Sequence, residues 1–283
     1  MFNTWWFYIT ISLILDIAYN MLIKKALKKN VSDGALISLL QILSGAVMLV
    51  VAIFCKWKFP SDIKIYALLF ASCIFYALSD RTNATARRGL EVSMYGLLSQ
   101  IAPIFTFVLG ILFFKEPIVL AKIVGLVLII LGNILVLYKK GKFSWNKYVF
   151  FSLLGNLFFS VGLCIDVGIS DQFNLPFYIA LTLMVPATLI ILVERIKIKS
   201  LINEYKVGDK QSILLIASIW GVRLWTMFKA FQLGTFTTVT AVRATYVVIN
   251  VIAAYFLLKE RDSVWKKMLA AVLVAVGVFL AKM

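Results

Sequence analysis

The chain has 283 residues, of which 62% are hydrophobic and only 15% charged, with a mean hydropathy of +0.96. Soluble domains are nearer half apolar and a quarter charged, so the composition excludes one. Histidine is absent, which removes imidazole metal sites and histidine proton relays. Cys55, Cys73 and Cys164 stand alone in apolar stretches, with no CxxC spacing and no disulfide framework. The net charge of +16 comes from Lys and Arg scattered between apolar runs. That pattern anchors and orients a membrane protein rather than binding nucleic acid. The first apolar run lacks the basic flank of a cleavable signal.

A bilayer-spanning helix needs about 20 apolar residues. In chain order the runs predict spans at 4–23, 35–55, 64–86, 91–113, 118–138, 147–168, 174–193, 212–232, 236–258 and 264–282. The predicted class is an all-α integral membrane protein of ten transmembrane helices. Pro117 and Pro176 fall at helix starts, whereas Pro103 and Pro186 lie within spans and should kink them. Trp5, Trp6, Trp57, Trp145 and Trp265 mark span ends, while Trp220 and Trp225 lie mid-span. The third span is apolar only to Leu78, and Ser-Asp-Arg-Thr-Asn follows. Its helix either stops short or continues through Asp80 and Arg81 inside the protein.

An offset of 144 residues places Phe114-Lys115-Glu116 over Leu258-Lys259-Glu260 and Lys122 over Lys266. It also superimposes the stripe Ser12, Asp16, Asn20 on Asn156, Ser160, Cys164, each recurring every four residues along one helix face. The halves are therefore expected to be residues 1–140 and 141–283. Five spans per half make an odd number of crossings, so the two repeats should be inverted. Arg81 then corresponds to Trp225, deep in an apolar span, which favours the long third helix.

Ten short-looped helices in two five-helix halves, each closing its fourth helix with Lys-Glu, resemble the drug/metabolite transporter superfamily, EamA type. That family's fourth helix runs through a proline to Leu-Gly-Glu; Ala102-Pro103-Ile104-Phe105 through Phe114-Lys115-Glu116 is similar, as is Leu258-Lys259-Glu260. Lys replaces the glycine before both glutamates, Ala102 stands where an acid is frequent, and Val247 replaces the second proline. The resemblance implies a transporter and both termini inside. The charge count points the other way: 19 of the 29 Lys and Arg flank the odd-numbered loops, which places the termini outside.

Charged side chains at mid-bilayer cost about 2.5–3.5 kcal/mol each on insertion scales and mark substrate or ion paths. Arg223 lies near the middle of its span between Trp220 and Trp225; Arg243 lies two turns into the ninth, with Tyr246 and Asn250 on the same face at i+3 and i+7. Arg81 joins them if the third helix is long. A guanidinium offers a planar fork of donors to a carboxylate or phosphate and stays charged when desolvated. The expected substrate-binding set is Arg223, Arg243, Arg81, Trp220, Trp225, Tyr246, Asn250 and Asn20. Asp16, flanked by Ser12 and Asn20, and Asp80 are the expected proton sites or counter-ions. Internal pairing of the arginines with Asp16, Asp80 and Asp166 is the competing reading. Asp166, three residues from its span's end, reads as interfacial; Glu91, Glu116 and Glu260 read as helix-end residues.

No phosphate-binding loop, nucleophile elbow or metal-ligating cluster is present, so neither enzyme activity nor a cofactor is expected. The leading expectation is a secondary transporter of a small organic anion: a sugar phosphate, a nucleotide sugar or a carboxylated metabolite such as an amino acid. The alternatives are a proton-coupled exporter of cationic aromatic compounds anchored by Asp16 and Asp80, and a flippase of a polyprenyl-phosphate-linked sugar. The expected setting is a prokaryotic cell membrane, from the short loops.

Overall fold

The computed structural model describes residues 4–27, 33–90, 92–138, 145–207, 209–249 and 264–282. Within them the regular structure is helical: α1 (Trp5–Leu27), α2 (Asp33–Ile53), α3 (Ile63–Gly89), α4 (Val92–Ser99), α5 (Ile101–Phe114), α6 (Leu120–Leu137), α7 (Lys147–Ile169), α8 (Leu175–Val193), α9 (Ile198–Val207), α10 (Lys210–Leu233), α11 (Phe236–Arg243) and α12 (Val264–Lys282). Among the described residues, six helices are long and apolar enough to cross a membrane. Four shorter apolar helices join them: Trp5–Tyr19, Leu120–Leu135, Phe236–Ile249 and Met268–Ala281. The fold is an all-α, multi-pass membrane fold. Large apolar side chains such as Leu112, Phe113, Val272 and Phe279 are exposed along it, as a lipid-facing surface requires.

Three elements differ from simple runs of hydropathy. The third helix is long: α3 passes without interruption through Asp80 and Arg81 to Gly89. The fourth span is two helices, broken at Gln100. The break sets Pro103 in the first turn of α5, where its missing N–H has no helical acceptor to serve. The ninth span is interrupted too. After Arg243 the chain turns at Ala244 and Thr245 before 246–249 resume as helix, and Thr245 N donates to Val242 O at 3.1 Å in a tighter turn. No proline is present there, so proline is not the general cause of these breaks. The segment between the seventh and eighth spans, expected as loop, carries α9.

The chain forms two compact units that interleave it: Met1–Ala77 with Ile165–Leu233, and Leu78–Cys164 with Gly234–Met283. In the first, α1 packs along α10, and α2 packs against α8, α9 and α10. Leu36, Leu40, Ile213, Ile216 and Ala217 form one core cluster, and Leu69, Cys73, Ile169, Phe173 and Tyr178 another. Asn174 caps α8, accepting from Phe177 N at 3.1 Å, and donates to Ala52 O (3.2 Å) and Lys56 O (3.1 Å). It thereby ties the start of α8 to the end of α2, with Pro176 in the first turn as expected.

In the second unit, α12 lies along α6 and α11 against α5. Gly125 and Gly277 make the α6–α12 approach possible. A Cβ on Gly125 would stand 2.5 Å from Gly277 O, and one on Gly277 would stand 2.7 Å from Gly125 O. Both obstacles are backbone, so neither can rotate away. The carbonyls around the Gln100 break are satisfied by side chains: Asn156 Nδ2 donates to Leu98 O at 3.1 Å and Ser160 Oγ to Ala102 O at 3.1 Å. Asn133, fully buried on α6, donates to Gln100 Oε1 and to Ala244 O, each at 2.8 Å. One amide thus holds both helix breaks.

Candidate functional site

The first unit assembles its site on α1 and α10. Asp16 is central in α1 and Arg223 central in α10. Arg223 Nη1 donates to Asp16 Oδ1 in a salt bridge whose side chains are 16% and 8% exposed. The guanidinium carbon stands 4.9 Å from the centre of the Tyr19 ring, a cation–π contact. Tyr19 meets Trp220 edge-on at 5.3 Å, and Tyr8 meets Trp225 edge-on at 6.4 Å. Ser12 Oγ and Thr226 Oγ1 donate to the Arg223 carbonyl at 3.2 and 2.9 Å, so that stretch of backbone is pinned from both helices.

Two consequences follow from this geometry. The pair is neutral, so Asp16 serves Arg223 as counter-ion in this conformation. Yet the guanidinium is not saturated: Nε is buried with no hydrogen-bond partner among the described residues. A buried donor without an acceptor is costly, and an incoming anion oxygen would satisfy it. Ring faces beside a half-committed guanidinium suit a ligand that joins an anionic group to a planar or apolar portion.

Sequence reading singles out Arg223, Asp16 and Trp220 separately, without pairing them, and misses Tyr19. The signal was present, since Tyr19 lies at i+3 from Asp16 and shares its face. Asn20 lies on α1, one residue on. Trp225 is partly buried, beside Tyr8 rather than Tyr19.

In the second unit, Arg243 stacks over Phe159 at 5.7 Å and is half-buried. The turn at Ala244–Thr245 falls between Arg243 and Tyr246. Tyr246 is half-buried just past that turn. Asp80 and Arg81, on the continuous α3, are both exposed. Asn250, Glu91, Lys259, Glu260, Ala253 and Ala254 lie outside the described residues.

Glu116 has a definite task. Its carboxylate accepts from the backbone N–H of Phe236 and from Thr237 N (3.1 Å) and the Thr237 hydroxyl, so it caps α11 from 120 residues away in sequence. Thr235, the residue preceding α11, makes no side-chain cap; its hydroxyl donates to Thr238 and accepts from the buried Lys122 Nζ at 3.3 Å. Lys115, immediately before Glu116, adopts φ 51° and ψ 34°, the left-handed conformation that ends α5. That is why a glycine suits the position. Lys115→Gly is expected to raise stability by about 0.5–1 kcal/mol, read as a higher unfolding midpoint in detergent.

Asp166 corrects the sequence reading. It is wholly buried, not interfacial, and Tyr178 Oη donates to its Oδ1 at 2.6 Å. Proximity to a span's end does not report depth when α8 and α3 cover that end.

The multi-pass helical fold holds an arginine–carboxylate pair and aromatic rings between α1 and α10, and no metal-binding cluster is found among the described residues. Residues 3–138 match the EamA-like transporter family. A solved crystal structure of a protein 12% identical in sequence superposes with a TM-score of 0.78, covering 97% of this chain and 94% of its own, which speaks for the fold alone. The sequence has no match among curated proteins.

Proposed function

We propose that the protein carries a small organic anion across a prokaryotic cell membrane by alternating access, with Arg223 as the anchor for the anionic group. The observation that carries this reading is the state of Arg223: held by Asp16 through Nη1, faced by Tyr19, and with Nε buried and unsatisfied. A substrate carboxylate or phosphate would take the free edge of the fork or displace Asp16. Asp16 is the counter-ion that balances the Arg223 charge. Its engagement by Arg223 disfavours the cationic-exporter alternative, which needs a free carboxylate. Arg243 and Tyr246, Arg81 with Asp80, Trp225, Asn20 and Asn250 are further substrate or counter-ion candidates.

The same proposal includes ten crossings as two inverted five-helix repeats, 1–140 and 141–283. It is supported by the helix breaks at Gln100 and Ala244, 144 residues apart.

A ligand that binds only the folded state raises the melting temperature. Thermal shifts of the detergent-purified protein are therefore to be recorded against sugar phosphates, nucleotide sugars, amino acids, dicarboxylates and quaternary amines. Stabilisation by one anion class is expected, abolished in an Asp16→Asn/Arg223→Gln double variant that keeps the site neutral. Stabilisation by quaternary amines alone, retained in Arg223→Gln, overturns the anion reading.

A further inference from the structure

The Asp166 carboxyl lies 0% exposed near the C-terminal end of α7, in the first unit. Oδ1 accepts from Tyr178 on α8, while Oδ2 is buried with no hydrogen-bond partner among the described residues. The groups facing it are all uncharged: Tyr178 from α8, and Ser72, Cys73 and Tyr76 from α3. The Ser72 proton is committed to Leu69 O at 2.9 Å, and Phe228 of α10 closes the far side of the Tyr178 ring at 6.2 Å. Among the described residues, no Lys or Arg nitrogen lies within 4.0 Å of it. This is the opposite of Asp16, whose charge is matched.

The other half of the repeat has no acid at the equivalent position. The 144-residue correspondence sets Leu22 against Asp166, Ile216 against Ser72 and Ala217 against Cys73. Ile216 and Ala217 belong to a core cluster of the same unit, against which Leu22 packs together with Tyr19, Tyr205 and Trp220. An ionisable side chain kept inside a membrane bundle is costly and marks an ion or proton path. The exposed Asp171 lies five residues on, its carbonyl accepting from Lys58 Nζ at 2.7 Å.

We propose that Asp166 is the proton-binding carboxyl of the transport cycle. In the occluded state the O–H bond is on Oδ2 and the group is neutral. When the α3–α7–α8 contact loosens, that bond breaks, the electron pair stays on Oδ2, and the proton passes to water admitted at the Asp171 edge. Uptake reverses the step. The coupling rests on the transporter reading, but the protonation does not, so the two can fail separately.

The test uses the full chain in lipid vesicles with the proton as the only ligand. Infrared difference spectra across a pH titration, in light and heavy water, are expected to show a protonated-carboxyl C=O band that is lost as pH rises and is missing in Asp166→Asn. Tyr178→Phe, which keeps the carboxyl, should shift the band and move its titration midpoint. Hydrogen exchange across residues 165–180, corrected for intrinsic rates, should increase over the same pH interval in the native chain and stay flat in Asp166→Asn. Identical difference spectra for the native chain and Asp166→Asn overturn the proposal. So does a titrating band with no accompanying change in exchange, since the proton would then be uncoupled from opening. Should Asp166→Asn not fold, an unmoved band in Tyr178→Phe serves as the overturning result. Failure of the ligand panel would leave these spectra unaffected.

Discussion

Replacing Arg223 by Gln, or Asp16 by Asn, is expected to lower the unfolding free energy by about 3–5 kcal/mol, while the double variant recovers most of that loss. The two side chains are 16% and 8% exposed, so neither is screened by water. Removing one partner leaves a full charge in a low-dielectric interior. Removing both exchanges an ion pair for two neutral amides, the Gln two heavy atoms shorter than the Arg, and the cost of desolvation falls along with the Coulomb attraction. A double-mutant cycle, read by denaturant titration in mixed micelles, separates this from two independent defects. Additive losses would show that the pair is not energetically coupled. The prediction also bears on function, because a pair that contributes this much in the empty state sets what an anion must offset to displace Asp16.

Glu116→Ala should cost roughly 3 kcal/mol, the upper range for hydrogen bonds to a charged group. Three donors lose their acceptor together: the N–H groups of Phe236 and Thr237 and the Thr237 hydroxyl. Phe236 and Thr237 are 3% and 1% exposed, so water does not replace the carboxylate easily. Thr235 cannot take over, since its hydroxyl is engaged with Thr238 and Lys122. Glu116→Gln keeps an acceptor but loses the charge that the helix N-terminus favours, and should cost about half as much. Amide exchange over Phe236–Arg243 is the local measurement: the first turn of α11 should exchange faster in both variants. Unchanged exchange there would mean that Glu116 is not the cap.

Much of this was legible in the sequence. Hydropathy located the helices because lipid demands long apolar runs, and the 144-residue repeat argued that α3 continues through Asp80 and Arg81. Pro103 announced a break in the fourth span, and the substitution of Lys115 for a familiar glycine became intelligible once its backbone proved left-handed. Arg223 and Asp16 stood out singly, each a charge in an apolar run.

Their pairing did not. Arg223 and Asp16 are 207 residues apart, and which acid meets which base depends on α1 lying along α10. The break after Arg243 has no proline to signal it, and the turn's carbonyl is held by Asn133 from another helix. Asp166 looked interfacial by its place in the run, yet α3 and α8 bury it completely. The sequence by itself determined which segments leave water, because transfer free energy sums along a segment and needs no neighbour. Only the tertiary structure decided which charges are neutralised, which helix ends are capped and which carboxyl is sealed, because each of those is set by the atoms opposite, and these come from distant parts of the chain.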